Sequence, residues 1–94
     1  MQVAKVIGNI WATRKEDRLA GLKLLLVQPL NPLNGELYRV PIVAADIIGA
    51  GVGETVLGAG GSSARSAAGD MNTPVDATVV GIVDDQDIDA GVLG

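Results

Sequence analysis

The sequence predicts an all-β fold, a small five-stranded OB-like β-barrel with one short helix, and three observations carry that expectation. Apolar residues alternate with period two in several short runs, turn residues separate those runs, and no stretch of useful length has a helical period. The apolar content is of the strand-forming kind: 48% of the residues are hydrophobic, yet there is one Trp, one Tyr and no Phe, so Val, Ile, Leu and Ala dominate. The 94 residues are read as a single domain, 1–94, with an acidic tail from about residue 84. A chain of this length folding alone hides only about two thirds of its unfolded surface, so its core is small.

The first strand is read over residues 2–13, where Val3, Ile7 and Trp11 share one face and Ala4, Val6, Ile10 and Ala12 the other. A second covers 22–27, with Leu22, Leu24 and Leu26 opposite Leu25 and Val27, and stops at Gln28-Pro29. Pro and Asn then lead to Asn34-Gly35, a strong hairpin signal. The third strand is read over 36–44, with Pro41 implying an edge or a bulge. A short fourth falls at 54–57. A fifth spans 75–83, with Val75, Ala77, Val79 and Val83 opposite Thr78, Val80 and Ile82. Ser62 and Ser63 are candidate caps for a turn or two of helix over 64–68, closed by Gly69. Closing such strands into a barrel removes the exposed edges.

A barrel strand normally shows its second face to water. The first strand here is apolar on both faces, so a second apolar surface must be covered, and another subunit is the economical cover.

Charge and composition exclude several functions. A formal charge of −4 with seven Lys and Arg, and a pI near 4.4, work against binding a polyanion. Lys5, Arg14, Lys15, Arg18 and Lys23 are five of those seven basic residues and leave room for a positive patch, but solvated loop charge is the plainer reading. The absence of Cys removes disulfide and thiolate chemistry. The N-terminus has no continuous apolar h-region and no apolar run approaches ~18 residues, so the expectation is a soluble cytoplasmic protein with no membrane partner.

The recognisable motifs fail one by one. Gly49, Gly51 and Gly53 invite comparison with G-x-G-x-x-G, but the third glycine would fall at Glu54, where a carboxylate repels pyrophosphate. Gly53 and Gly58 have the spacing of a P-loop, yet Ala59 and Gly60 replace its Lys and hydroxyl. Gly61-Ser62-Ser63-Ala64-Arg65 departs from a nucleophile elbow at Arg65, and a sequence without His builds no Ser-His-Asp triad. With neither His nor Cys only oxygen ligands remain. Asp85, Asp87 and Asp89 match the first ligands of a calcium loop, but the sixth position is Ala90 and the twelfth falls beyond Gly94. No acid/base pair of carboxylates stands out. The expectation is therefore no enzyme, no cofactor and no metal.

Glycine admits positive φ and lets backbones approach each other. A run of Gly49-Ala50-Gly51-Val52-Gly53, followed by Gly58, Gly60 and Gly61, suits a segment where several chain copies crowd around an axis. Glu54 and Arg65 flank that run and are candidate partners for ion pairs between subunits, alone or with Asp46 and Asp76; ordinary surface charge, worth ~0 to 1 kcal/mol per pair, is the alternative.

These residues also carry a resemblance. Asp46, Gly49-Ala50-Gly51-x-Gly53-Glu54, Gly61-Ser62-Ser63-Ala64-Arg65, Pro74-Val75-Asp76 and Ile82-Val83-Asp84 stand in an order and spacing similar to the bacterial microcompartment vertex protein family, the pentameric shell proteins of carboxysomes and of ethanolamine- or propanediol-type compartments. Gly8-Asn9-Ile10-Trp11-Ala12-Thr13 and Lys23-Leu24-Leu25-Leu26-Val27-Gln28-Pro29-Leu30 resemble it too, so the match runs nearly end to end. The resemblance implies an OB-like barrel assembled into a homopentamer that closes each fivefold vertex of a shell built from hexameric shell proteins. It implies that Ile48, Gly49, Ala50 and Gly51 face the axis around a small pore, that Glu54 and Arg65 lie near the subunit contacts, and that no cofactor is bound. A flat sheet of hexamers cannot close, and five-coordination at a vertex supplies the curvature. Such a ring needs a heterologous interface, two different surfaces on each subunit, with about 2,000 Å² or a little less buried at each contact.

The alternative from another class is an OB-type module binding single-stranded nucleic acid or an anionic ligand through the basic first quarter. Titration with a single-stranded oligonucleotide at low salt is expected to stay flat; salt-dependent binding would restore that alternative. Gly51→Val is expected to crowd the axis, because Val adds Cβ branches and resists positive φ, and a variant that still forms a normal ring would place the axis elsewhere.

Overall fold

The computed structural model describes residues 1–11, 19, 21–69, 75–84 and 90–93. Period-two patterning becomes five strands: β1 (Gln2–Ile10), β2 (Lys23–Pro29), β3 (Ile42–Asp46), β4 (Thr55–Gly60) and β5 (Ala77–Ile82). Helix α1 (Gly61–Ala67) joins β4 to β5, and a 3-10 turn spans Ala90–Leu93. The strands close into a barrel in the order β1-β2-β3-β5-β4. All neighbours are antiparallel except β3 and β5, which run parallel. A parallel pair cannot be joined by a tight hairpin, so the chain returns through β4 and α1 before laying down β5. The expected all-β, closed five-stranded barrel with one short helix is the architecture observed.

Closure bends two strands. The pairing register slips between Val6 and Gly8, where Ile7 is the extra residue on β1, and opposite Leu57 and Gly58, where Val80 is the extra residue on β5; each extra residue adds the local twist a tight barrel needs. Inside sit Ala4, Val6, Leu25, Val27, Ala44, Val56, Ala77 and Val79. Five strands enclose a narrow space, so Ala and Val fill most of it and both aromatic residues stay out. Of the two apolar faces of β1, the one carrying Ala4 and Val6 is the interior face. Ile7 lies outside and exposed, and Trp11, just past the strand, is 89% exposed.

Several element boundaries differ from expectation, those of β3, β4 and α1 most. The segment read as a strand over 36–44 forms only an isolated bridge between Leu30 and Leu37, and the paired strand begins at Ile42. Side chains hold residues 31–41 in an open arm instead. Asn31 Oδ1 accepts the Leu33 N–H and Asn34 Oδ1 the Glu36 N–H. The Gln28 side-chain amide donates to the carbonyls of Pro29 and Arg39, at 2.9 and 2.6 Å. Pro41 brings no N–H to continue a ladder. The Asn34-Gly35 turn is present, with Gly35 at φ 72°.

The fourth strand outruns its expected end at Leu57 and continues through Gly58, Ala59 and Gly60, because β5 pairs with those residues across the barrel. Helix α1 starts at Gly61, not at Ala64, and Ser62 and Ser63 do not cap it. Gly60 is the N-cap with no side-chain bond, and the Gly61 N–H donates to the Asp76 carbonyl instead. Gly69, at φ 117°, ends the helix as expected. Ala64 is fully buried, and its carbonyl accepts the Thr78 hydroxyl at 2.8 Å, fastening α1 to β5. The first strand was read to residue 13, but Ala12 and Thr13 lie outside the described residues, as do Asp85, Asp87 and Asp89 of the calcium-like motif and three residues of the basic cluster, Arg14, Lys15 and Arg18.

Leu25 is 0% exposed and is the bulkiest of the fully buried side chains. Leu25→Ala is expected to cost about 2–5 kcal/mol, read as a lowered thermal midpoint at fixed protein concentration.

Candidate functional site

The glycine-rich loop between β3 and β4 is organised by one carboxylate. Asp46 ends β3 with its side chain 0% exposed. Its Oδ1 accepts the Ile48 N–H at 3.0 Å and the Gly49 N–H at 3.1 Å. Its Oδ2 accepts the Gly49 N–H at 3.2 Å and the Ala50 N–H at 2.9 Å. Three successive backbone donors thus converge on one anion, the arrangement called a nest. Lys23, paired with Asp46 across β2 and β3, donates from Nζ to the Ala50 carbonyl at 2.9 Å and stands 3.8 Å from Asp46 Oδ2. The Lys23 side chain is half-exposed, so water screens its attraction to Asp46.

The next residue is tied differently. The Gly51 N–H donates to Glu54 Oε1 at 2.7 Å, and the Glu54 N–H to the Gly51 carbonyl at 3.1 Å. Val6 in β1 fastens the far end, accepting the Gly53 N–H and donating to the Glu54 carbonyl. The loop is therefore wired to β1, β2 and β3 together. Positive φ falls at Gly49 and Gly53, both 94°, and not at Gly51. Strain from positive φ therefore belongs to Gly49 and Gly53, and Gly51→Val acts through its Cβ branches alone.

The remaining charged candidates are spread along the same side of the chain order but not joined within one subunit. Arg65 is half-buried in the last turn of α1. Asp76 is exposed just before β5, its backbone carbonyl holding the start of α1. Among the described residues no ion pair links Glu54, Arg65 and Asp76; the salt bridge present is Lys23 to Asp46. Of these acids Asp46 alone is turned wholly inward, its four hydrogen bonds made within its own chain. Among the described residues no three acidic side chains are grouped to hold a metal ion, and no helix is long and apolar enough to cross a membrane.

Sequence reasoning missed the arm. Residues 32–41 are exposed throughout, with Leu37 and Val40 each 75% exposed and Arg39 stacked 4.9 Å over the Tyr38 ring. Between the arm and the outer face of β1 and β4 runs a groove of about 560 Å³, walled by Met1, Val3, Leu30, Pro32, Tyr38 and Leu57. A second hollow of about 450 Å³ adjoins it and brings Arg39 and Asp76 to one surface. The signal was the density of Leu, Tyr and Val among the turn residues of 30–41, which alternation could only read as a strand.

A small closed barrel with an ordered glycine loop, an apolar arm and exposed apolar side chains has the surface character of a protein that docks against others. Comparison with known proteins names the family. The chain belongs to the EutN/CcmL family, described as ethanolamine utilisation protein EutN/carboxysome, whose model matches residues 1–84. It is 47% identical over 93 residues to a carboxysome shell vertex protein CcmL of Synechocystis sp., covering 99% of this chain and 92% of that protein. To the bacterial microcompartment shell vertex protein PduN of Salmonella typhimurium it is 48% identical over 88 residues, covering 89% and 96%. Among solved structures it resembles the GrpN pentameric microcompartment shell protein from Rhodospirillum rubrum with a TM-score of 0.83 at 40% identity, covering 94% and 99% of the two chains.

Gly49→Ala or Gly53→Ala is expected to cost about 1–2 kcal/mol, from forcing an alanine into positive φ. Gly51→Ala, with ordinary φ and a new Cβ meeting only Glu54 Oε1 at 3.4 Å, should stay within about 0.5 kcal/mol of the parent. Thermal midpoints of the three variants side by side make the comparison.

Proposed function

We propose that this chain is the vertex subunit of a bacterial microcompartment shell, a structural protein that forms a homopentamer and caps the fivefold vertices. The observation that carries the reading is near end-to-end similarity to shell vertex proteins, with the same barrel in a pentameric shell protein at a TM-score of 0.83. Its work is geometric. A ring of five must close through a heterologous interface, which needs two unlike surfaces on every subunit. The arm and its groove make one apolar surface, and the exposed Ile7 and Trp11 side of β1 makes another.

Within the ring, residues 48–51 face the axis. Glu54, Arg65 and Asp76, which form no ion pair with one another among the described residues, lie at the subunit contacts, where they meet charges of the next subunit. Asp46 acts on that contact from within, by shaping the loop. The pentamer fits among hexameric shell proteins of the same compartment, inside the bacterial cytoplasm, and carries out no catalysis.

Native mass spectrometry across dilution tests the ring. Five chains of 9.5 kDa give about 47.5 kDa, and that species should persist; a stable monomer or hexamer would remove the vertex reading. The axis placement has its own test, since the sequence contains no cysteine. In Ile48→Cys, mild oxidation should join subunits in disulfide-linked pairs, and a failure to cross-link in an intact pentamer would move the axis to another segment.

A further inference from the structure

Residues 48–51, which the proposed function places on the fivefold axis, have no backbone N–H left to offer. Ile48, Gly49 and Ala50 give their N–H groups to Asp46, and Gly51 gives its own to Glu54. The Ala50 and Gly51 carbonyls are engaged by Lys23 and by the Glu54 amide. What the loop shows to solvent is the aliphatic side chains of Ile47, Ile48 and Val52, all exposed. Successive amides in a glycine-rich loop ordinarily make an anion-binding concavity. Here the concavity is filled by the protein's own carboxylate, which is buried and charge-balanced by Lys23.

We propose that Asp46 is the positioning residue of the axis loop, a built-in anion that holds residues 48–50 in their turned conformation and denies those amides to any anion approaching the ring. The proposal rests on the vertex reading only for where the loop sits in the ring, not for how the loop is held. Two consequences separate it from a merely stabilising buried acid. The missing group should be replaceable by a free carboxylate of the same size, and removing it should create an anion site that the parent protein lacks.

The experiment is residue-resolved amide exchange by NMR on the intact assembly, for the parent and for Asp46→Ala, each alone, with formate and with sulfate. Alanine removes the carboxylate and leaves a space of formate size. In Asp46→Ala the amides of 48, 49 and 50 should exchange at least about tenfold faster while those of Leu25 and Val27 in the barrel hold. Formate should restore protection, and sulfate should shift the same three amides saturably in the variant but not in the parent. Unchanged exchange in Asp46→Ala, a loss that formate does not reverse, or saturable sulfate shifts in the parent would each overturn the proposal.

Should Asp46→Ala not fold, Asp46→Asn keeps Oδ1 and turns a donor toward Ala50. Loss confined to Ala50, with Ile48 and Gly49 still protected through Oδ1, is then the expected result, and equal protection at all three overturns the proposal. Absent cross-linking in Ile48→Cys alongside the expected exchange pattern would reject the axis placement and leave the role of Asp46 standing.

Discussion

The narrowness of a five-stranded barrel governs the rest of this molecule. Its interior admits a few Val and Ala side chains and the single large Leu25, with no room for an aromatic ring. A chain that is nearly half hydrophobic has more apolar surface than such a space can hold. The surplus is turned outward, on the Ile7 and Trp11 side of β1, on the arm around Tyr38 and on the loop tip at Ile47 and Ile48. Burying that surplus requires a partner surface, which in the vertex reading is another copy of the chain. The small core and the need for assembly are thus one constraint seen from inside and outside the barrel.

Assembly around an axis requires loops whose shape is settled before the subunits meet, because ordering them on contact would oppose association. The β3–β4 loop meets that requirement through polar links, with Ala50 packed into the core beneath them. Asp46 gathers three amides, Glu54 takes a fourth, Lys23 holds a carbonyl and Val6 pins the exit. The glycines at 49 and 53 make the positive φ values possible, while the carboxylates select one conformation from the many that glycine permits. Freedom from glycine and restraint from aspartate belong to a single device.

The arm is built by a similar logic with different residues. Two asparagines cap turns, and the buried Gln28 amide reaches across to the Arg39 carbonyl, so a segment with little packing beneath it is still held off the barrel. It thereby walls a groove instead of closing it. In the vertex reading a neighbouring subunit fills that groove, and the Arg39 and Asp76 charges at its margin help fix how the neighbour is seated.

Much of this was legible from the residues alone. Alternation in β1, β2 and β5 marked strands because side chains on a pleated strand point to opposite faces whatever surrounds them. Gly35 and Gly69 marked chain reversals because positive φ is a local demand. The failed nucleotide and triad motifs needed only residue identities. Tertiary structure decided what local pattern leaves open. Which face of β1 looks inward depends on closure, the length of β4 on pairing with β5 across the barrel, and the start of α1 on the Asp76 carbonyl. Residues 36–41 alternate like a strand but pair only at the isolated Leu30–Leu37 bridge. Asp46 reads as a candidate for ion pairs between subunits, because nothing within the sequence reveals that Lys23 stands beside it and that the following three amides turn back onto it. The sequence determined a small barrel that cannot satisfy its apolar surface alone. The fold decided which residues carry that surface outward and which carboxylate shapes the loop among them, since both depend on groups brought together only when the barrel closes.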